Sequence, residues 1–292
     1  MSVIQALLLA VVQGITEFIP VSSLGNLAIL EHLLGIERGP QMLYETLLHL
    51  GTAFAVFFVF WKDVVHIVVE SIGMCADLIG NVNLYFQNRK GNKQYRYARI
   101  ISNSYRKLAI LIGVSMIPTG MLGIVARNFV ARTMISPLFA GIGILITGIV
   151  LIVVDFSKAG GYKGIGEASY EHAMWMGIFQ GISVFPGLSR SGLSICAGLL
   201  CGLNRKFAVK FSYLISLPAI LGAVFCELPA FAADGMSVGL GFTYVLGMLI
   251  AGGVGILTIR FMLKLVNKCK LRYFAYYCFI IGLAGLFGYY LG

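Results

Sequence analysis

Gln180-Gly181-Ile182-Ser183-Val184-Phe185-Pro186-Gly187-Leu188-Ser189-Arg190-Ser191-Gly192 lies in the middle of an apolar stretch, His172–Leu203, and breaks it. The basic flanks decide what the break means. Lys and Arg collect in cytoplasmic loops of membrane proteins, and both the Asp155–Tyr170 loop and the Arg205/Lys206 loop read as cytoplasmic. A single crossing would put those flanks on opposite sides, so His172–Leu203 enters the membrane and returns as a re-entrant hairpin. The phrase occurs once more. Gln13-Gly14-Ile15-Thr16-Glu17-Phe18-Ile19-Pro20, followed by Val21-Ser22-Ser23-Leu24-Gly25-Asn26, breaks the apolar stretch Val3–Gly35. Two unrelated Pro-kinked helices would explain the breaks but not the matched Gln-Gly-Ile-(Thr/Ser)-x-Phe. Each copy precedes three apolar spans. An odd number of spans plus a hairpin inverts the second copy relative to the first. The expected fold is an all-α polytopic membrane protein with an inverted-topology repeat, each half a re-entrant helical hairpin plus three transmembrane helices. Repeat 1 covers about 1–155 and repeat 2 about 170–292, in a single integral membrane domain over 1–292.

The spans themselves are plain. Leu108–Ala126, Thr133–Val154, Gly235–Ile259 and Tyr273–Gly292 contain no Asp, Glu, Lys or Arg, and each can cross ~30 Å of hydrocarbon as a helix. Ala208–Cys226 and Met42–Trp61 supply the others. The chain is 59% hydrophobic and 12% charged over 292 residues, about half the charge of a soluble domain. This excludes a soluble enzyme, a disordered chain and a disulfide scaffold, and the six cysteines form no CxxC pair. A transmembrane barrel would alternate polar and apolar residues instead. The net charge of +10 is explained by cytoplasmic loops facing anionic headgroups, so no nucleic acid is implied. Eight Lys/Arg fall in the basic cytoplasmic segment 62–107, whose Asp63–Gln87 part reads as an amphipathic interfacial helix followed by a solvated basic stretch. The short loop with Arg127 and Arg132, and the Pro229–Val238 loop without Lys or Arg, are expected outside.

An ionised side chain at the bilayer centre costs at least ~2.5 kcal/mol, so it marks function. Two such residues stand out, Glu17 inside the first hairpin and Arg190 at the tip of the second, and the inverted symmetry brings the tips together. Around Arg190, the hydroxyls of Ser189, Ser191 and Ser194 join a turn whose Gly187 and Gly192 let backbone N–H groups face inward. A helix N-terminus follows, and the combination suits phosphate oxygens. Ser22, Ser23, Gly25 and Asn26 form a smaller set at the other tip. A lipid-embedded phosphate site opposite a carboxylate points to hydrolysis or transport of a lipid-linked phosphate.

At these residues the chain resembles the bacitracin-resistance-type undecaprenyl-diphosphate phosphatases. The resemblance rests on Gln13-x3-Glu17 with Pro20-Val21-Ser22-Ser23-x-Gly25, on Glu45 with Leu50-Gly51, and on Pro186-Gly187-x-Ser189-Arg190-Ser191-Gly192. It implies a multi-pass protein of the bacterial inner (plasma) membrane. Such a protein would act on a polyprenyl diphosphate lipid in cell-wall precursor recycling, with Glu17, Ser23 and Arg190 as catalytic residues. The substrate-binding residues would be Gln13, Ser22, Gly25, Asn26, Gly187, Ser189, Ser191, Gly192 and Ser194. The family's first motif ends Ser-Ser-Thr-Gly-His, whereas this chain has Asn26 where that His belongs, which excludes any mechanism using it as nucleophile or acid. His32, six residues on, is a poor substitute.

Two mechanisms follow. In one, Ser23 attacks the terminal phosphorus after Glu17 takes its proton; in the other, Glu17 activates water and Ser23 only binds. The first is preferred. The diphosphate's charge exceeds what Arg190 offsets, so a divalent cation (Mg2+ or Ca2+) is expected, with Glu17 the one obvious ligand and Gln13 a weak one. The alternative function is a polyprenyl-phosphate binding protein or flippase that has lost phosphatase activity. A homodimer through the Gly282/Gly285/Gly288 face, or packing of that face within the bundle, are both open.

Overall fold

The computed structural model describes residues 1–36, 42–91, 95–133, 136–231, 238–266 and 270–291, and among them every regular element is a helix. In chain order these are α1 (Val3–Thr16), α2 (Ser23–Leu33), α3 (Met42–Val59), α4 (Trp61–Lys90), α5 (Ser104–Thr133) and α6 (Pro137–Phe156). They continue as α7 (Tyr170–Ile182), α8 (Arg190–Leu200), α9 (Arg205–Phe231), α10 (Val238–Leu265) and α11 (Leu271–Leu291). Helices α5, α6, α9, α10 and α11 are each long and apolar enough to cross a bilayer, and α3 with its bent partner α4 adds a sixth candidate span. The chain is a multi-pass helical membrane protein. Its burial pattern fits lipid as solvent. Gln13, Glu17, Ser115, Thr147, Gln180 and Ser194 are buried, while Ile124, Val125, Phe225 and Leu257 face outward.

Close helix approach depends on small residues. A Cβ on Gly14 of α1 would lie 2.7 Å from the Ala251 carbonyl of α10, and Phe18 meets Gly255 further along, so α1 and α10 run parallel. Gly177 and Gly181 of α7 meet Ser115 and Pro118 of α5 in ascending order, which makes that pair parallel as well. Pro118 interrupts the α5 hydrogen-bond ladder; beside it, Thr119 Oγ1 donates to the carbonyls of Ser115 (2.8 Å) and Gly177 (2.9 Å), tying α5 to α7. Gly141 and Gly148 of α6 meet α11 in descending order, at Gly282 and at Cys278, an antiparallel pair.

Three boundaries differ from the sequence reading. Helix α4 turns off α3 by 86° and runs unbroken through Arg89 and Lys90. The basic stretch after it is held against α4 by two asparagine side chains: Asn88 pairs with the backbone of Tyr95, and Asn81 with that of Ala98. The stretch carrying Arg127 and Arg132 is helical, because α5 continues to Thr133 without a breaker. Helix α9 likewise extends to Phe231. Residues 232–237 of the expected outer loop, and Lys268 with Cys269, lie outside the described residues. The 86° turn and the exposed stripe of Val68, Ile72, Ile79, Val82 and Phe86 on α4 suit an interfacial helix.

Candidate active site

The two hairpin tips, α1–α2 and α7–α8, are built alike. Ser22 Oγ accepts the Gly25 N–H at 3.1 Å, and Ser189 Oγ accepts the Gly192 N–H at 3.1 Å. Each serine is thus the N-cap of its tip helix, and Ser23 and Arg190 are the first residues of α2 and α8. The backbone at Ser22 is unusual for a residue other than glycine, with φ 67°. Asn26 holds it there: its Nδ2 donates to the carbonyls of Val21 (2.9 Å) and Ser22 (2.7 Å), and its Oδ1 accepts Tyr277 Oη at 2.6 Å. At the other tip Gly187 has φ +81° and lies on Ala140 and Gly143 of α6 so closely that any Cβ would collide. Thr147 of α6 donates to the Gly187 carbonyl (3.3 Å) and accepts the Ser189 N–H (3.0 Å).

The tips meet on the carboxylate of Glu17, at the C-terminal end of α1. Its Oε1 accepts Arg190 Nη2 in an ion pair. Its Oε2 accepts Ser23 Oγ at 2.6 Å and Gln13 Nε2 at 2.9 Å, the latter one helical turn back along α1. Burial is graded: the Glu17 side chain is 5% exposed, whereas that of Arg190 is 22% exposed. Gln13 is fully buried and its Oε1 has no hydrogen-bond partner. Ser23 is half-buried. A floor of buried carboxylate and amide therefore lies beneath an accessible hydroxyl and guanidinium. Two helix N-termini converge there with their partial positive charge. Behind the site, Tyr213 Oη donates to the Phe18 carbonyl at 2.7 Å, and the two rings pack edge to face at 5.3 Å.

Of the residues singled out in the sequence, Gln13, Glu17, Ser23 and Arg190 come together. The others surround them with their side chains engaged in the scaffold. Ser22 and Ser189 cap helices, and Asn26 braces the Ser22 turn. Ser191 Oγ donates to the Ile19 carbonyl at 3.3 Å, joining the tips. Ser194 Oγ bonds the Arg190 carbonyl (2.8 Å) and Ser212 Oγ of α9 (2.6 Å). Gly25 has room only for hydrogen, with Ile144 and Gly187 against it. His32 is exposed on α2. One neighbour was missed: His49 of α3, whose Nε2 lies 3.6 Å from Glu17 Oε2. An ionisable residue inside the Met42–Trp61 span was the available signal. Counting only Asp, Glu, Lys and Arg passed over it.

Among the described residues, no group of three or more His, Cys, Asp or Glu side chains is placed to hold a metal ion. Both Glu17 oxygens are already engaged, one by a guanidinium, so this donor set does not fit a resident divalent cation.

Fold and site together define a multi-pass membrane protein with a buried carboxylate–guanidinium–hydroxyl cluster where two helical hairpins meet. The chain belongs to the family described as "Bacitracin resistance protein BacA", which matches residues 6–284. It is similar to an undecaprenyl-diphosphatase of Alkaliphilus metalliredigens, at 40% identity over 97% of both chains. It is also similar to an undecaprenyl-diphosphatase of Methanosphaera stadtmanae, at 35% identity over 97% of this chain and 96% of the other. A third, from Desulforapulum autotrophicum, is 36% identical over 98% of each.

Proposed function

We propose that this protein is a phosphatase of the bacterial cell membrane that hydrolyses undecaprenyl diphosphate to undecaprenyl phosphate and inorganic phosphate, returning the lipid carrier to cell-wall synthesis. One observation carries the reading: the Ser23 hydroxyl donates to Glu17 Oε2 at 2.6 Å while Arg190 engages the other oxygen. That is a nucleophile on its base beside a cation for phosphoryl oxygens.

In this reading Ser23 Oγ attacks the terminal phosphorus and gives its proton to Glu17. The bridging P–O bond breaks, and its electron pair leaves on the lipid monophosphate. Water then attacks the phosphoserine and the Oγ–P bond breaks. Ser23 recovers a proton through Glu17, and inorganic phosphate departs. Arg190 and the N–H groups opening α2 and α8 stabilise the equatorial oxygens. Gln13 holds Glu17 in place. Ser22, Gly25, Asn26, Gly187, Ser189, Ser191, Gly192 and Ser194 act in binding by fixing the backbone of the cradle. A divalent cation, Mg2+ or Ca2+, would accompany the substrate's phosphates, and no step is assigned to it.

The inverted repeat belongs to the same proposal. It is supported by the like caps at Ser22 and Ser189 and by the parallel packing of α1 on α10 and of α7 on α5. For a homodimer, Gly282 and Gly285 of α11 are occupied by Leu145 and Ile29, whereas Gly288 has open space around it. The test is inorganic phosphate release from undecaprenyl diphosphate by the purified protein in detergent. Release that is abolished in Ser23→Ala, with lipid binding retained, supports the phosphatase; binding without release by the wild type would favour a carrier.

A further inference from the structure

His49 sits on α3, and nothing in the mechanism above uses it. Its Nδ1 lies 2.8 Å from the Glu45 carbonyl one turn earlier. A carbonyl can only accept, so Nδ1 carries the hydrogen, and in the neutral form of the ring Nε2 presents its lone pair. That nitrogen faces Glu17 Oε2 at 3.6 Å, the same oxygen that accepts the Ser23 hydroxyl at 2.6 Å. In that form two acceptors face each other, 3.6 Å apart.

We propose that His49 is a positioning residue for Glu17, taking on Nε2 the proton that Glu17 Oε2 receives from Ser23. This rests on the phosphatase reading. The reason is electrostatic. Arg190 is paired with Glu17 Oε1, and a proton resting on Glu17 would leave that guanidinium without its counter-charge in a nearly dry site. Passing the proton to Nε2 keeps the carboxylate ionised while Ser23 attacks. The proton balance closes. In the first half-reaction the Oγ proton moves to Oε2 and then to Nε2. In the second, water gives one proton through Glu17 to Ser23 Oγ and keeps the other on the phosphate. His49, whose side chain is 18% exposed, then gives up its proton before the next turnover. The separation of 3.6 Å shortens to a hydrogen bond in the substrate complex, where catalytic contacts tighten.

Groups from each element packed on α3 lie around the imidazole. On α3, Glu45 contributes its carbonyl. From α9, Glu227 accepts the Thr46 hydroxyl, and from α10, Tyr244 packs on Tyr44 at 4.8 Å. The α10 cations Arg260 and Lys264 lie beyond Gly255, which meets Ala55, and the α4 charges Lys62 and Asp63 follow the far end of α3. Glu17 is the carboxylate that Nε2 faces at 3.6 Å, and Arg190 is paired with it.

The experiment measures phosphate release from undecaprenyl diphosphate by the full chain in detergent, from pH 5 to pH 9, for wild type and His49→Gln. Wild type should lose kcat as pH falls through the imidazole range, because a protonated ring cannot accept. His49→Gln should lower kcat about 10²-fold with little change in KM, and the acid limb near the imidazole range should vanish. The chain has four histidines, so imidazole NMR provides a second readout that does not depend on turnover. The His49 signal, assigned by its loss in His49→Gln, should respond differently to pH in Glu17→Gln. Equal rates and equal pH profiles in wild type and His49→Gln, or a titration unmoved by Glu17→Gln, would overturn the relay while leaving the phosphatase standing. A wild type that releases no phosphate would overturn the phosphatase reading and the relay with it.

Discussion

Ser23 and Arg190 hold equivalent places in the two hairpins: each follows a serine N-cap that accepts an N–H three residues on at 3.1 Å, and both reach the Glu17 carboxylate. A hydroxyl at one tip and a guanidinium at the other thus share a single anion.

Arg190→Lys keeps the positive charge but loses the planar fork. It should fold, retain the Glu17 pairing, and lower phosphate release about 10²- to 10³-fold. Arg190→Ala leaves a buried carboxylate without its partner and should destabilise the fold by about 3–5 kcal/mol. Thermal unfolding in detergent, read beside turnover, separates the two effects.

Asn26→Ala removes the amide that bonds the carbonyls of Val21 and Ser22. The loss should be about 1–3 kcal/mol of stability, and activity should fall further, because the Ser22 turn positions Ser23. Tyr277→Phe removes a single donor to Asn26 Oδ1, so it should cost about 1 kcal/mol with most of the activity kept. Equal loss of activity in the two variants would contradict the bracing role.

Gly143→Ala places a methyl group against the Pro186 carbonyl and 2.7 Å from Gly187 Cα. Overpacking of about 1–3 kcal/mol should displace the second tip from α6. Arg190 would then lose its register with Glu17. The expected signature is a lower melting temperature together with lost turnover, in contrast to Ser23→Ala, which should lose turnover alone.

The outer arm is set by charge. Arg106 of α5 donates to Glu70 and Asp77 of α4, and its hydrogen bond holds the Glu70 carboxyl below the usual carboxylate range. A depressed folded-state pKa gives stability that is present above the unfolded value and lost as pH falls through the folded one. Docking of α4 should therefore persist at neutral pH and loosen as pH falls through the folded-state value of Glu70, which lies below the usual carboxylate range. Arg106→Gln should loosen it at neutral pH, seen as faster hydrogen exchange over 61–90 and faster trypsin cleavage at Arg89, Lys90, Arg96 and Arg99.

The helical spans, the broken hairpins and the Glu17–Arg190 pair were legible because each leaves a local mark. A long apolar run, a Pro/Gly/Ser break and an ion in hydrocarbon can each be read within twenty residues. Ser22, Ser189, Ser191 and Ser194 were legible as a hydroxyl cluster but not as scaffold. Their partners, Thr147, Ile19 and Ser212, come from elsewhere in the chain. The Tyr277 contact to Asn26 spans 251 residues, and no local pattern announces it. His49 was hidden differently: a lone histidine in an apolar span resembles a packed core residue until Glu17 is placed beside it.

Label transfer from the terminal phosphorus tests the central claim most directly. Purified protein is mixed with undecaprenyl diphosphate radiolabelled in its terminal phosphate and quenched in acid, where phosphoserine survives. Wild type should show label on the peptide containing Ser23 before inorganic phosphate accumulates, and Ser23→Ala should show neither label nor release. Phosphate appearing at the wild-type rate with no labelled Ser23, and unchanged in Ser23→Ala, would contradict it.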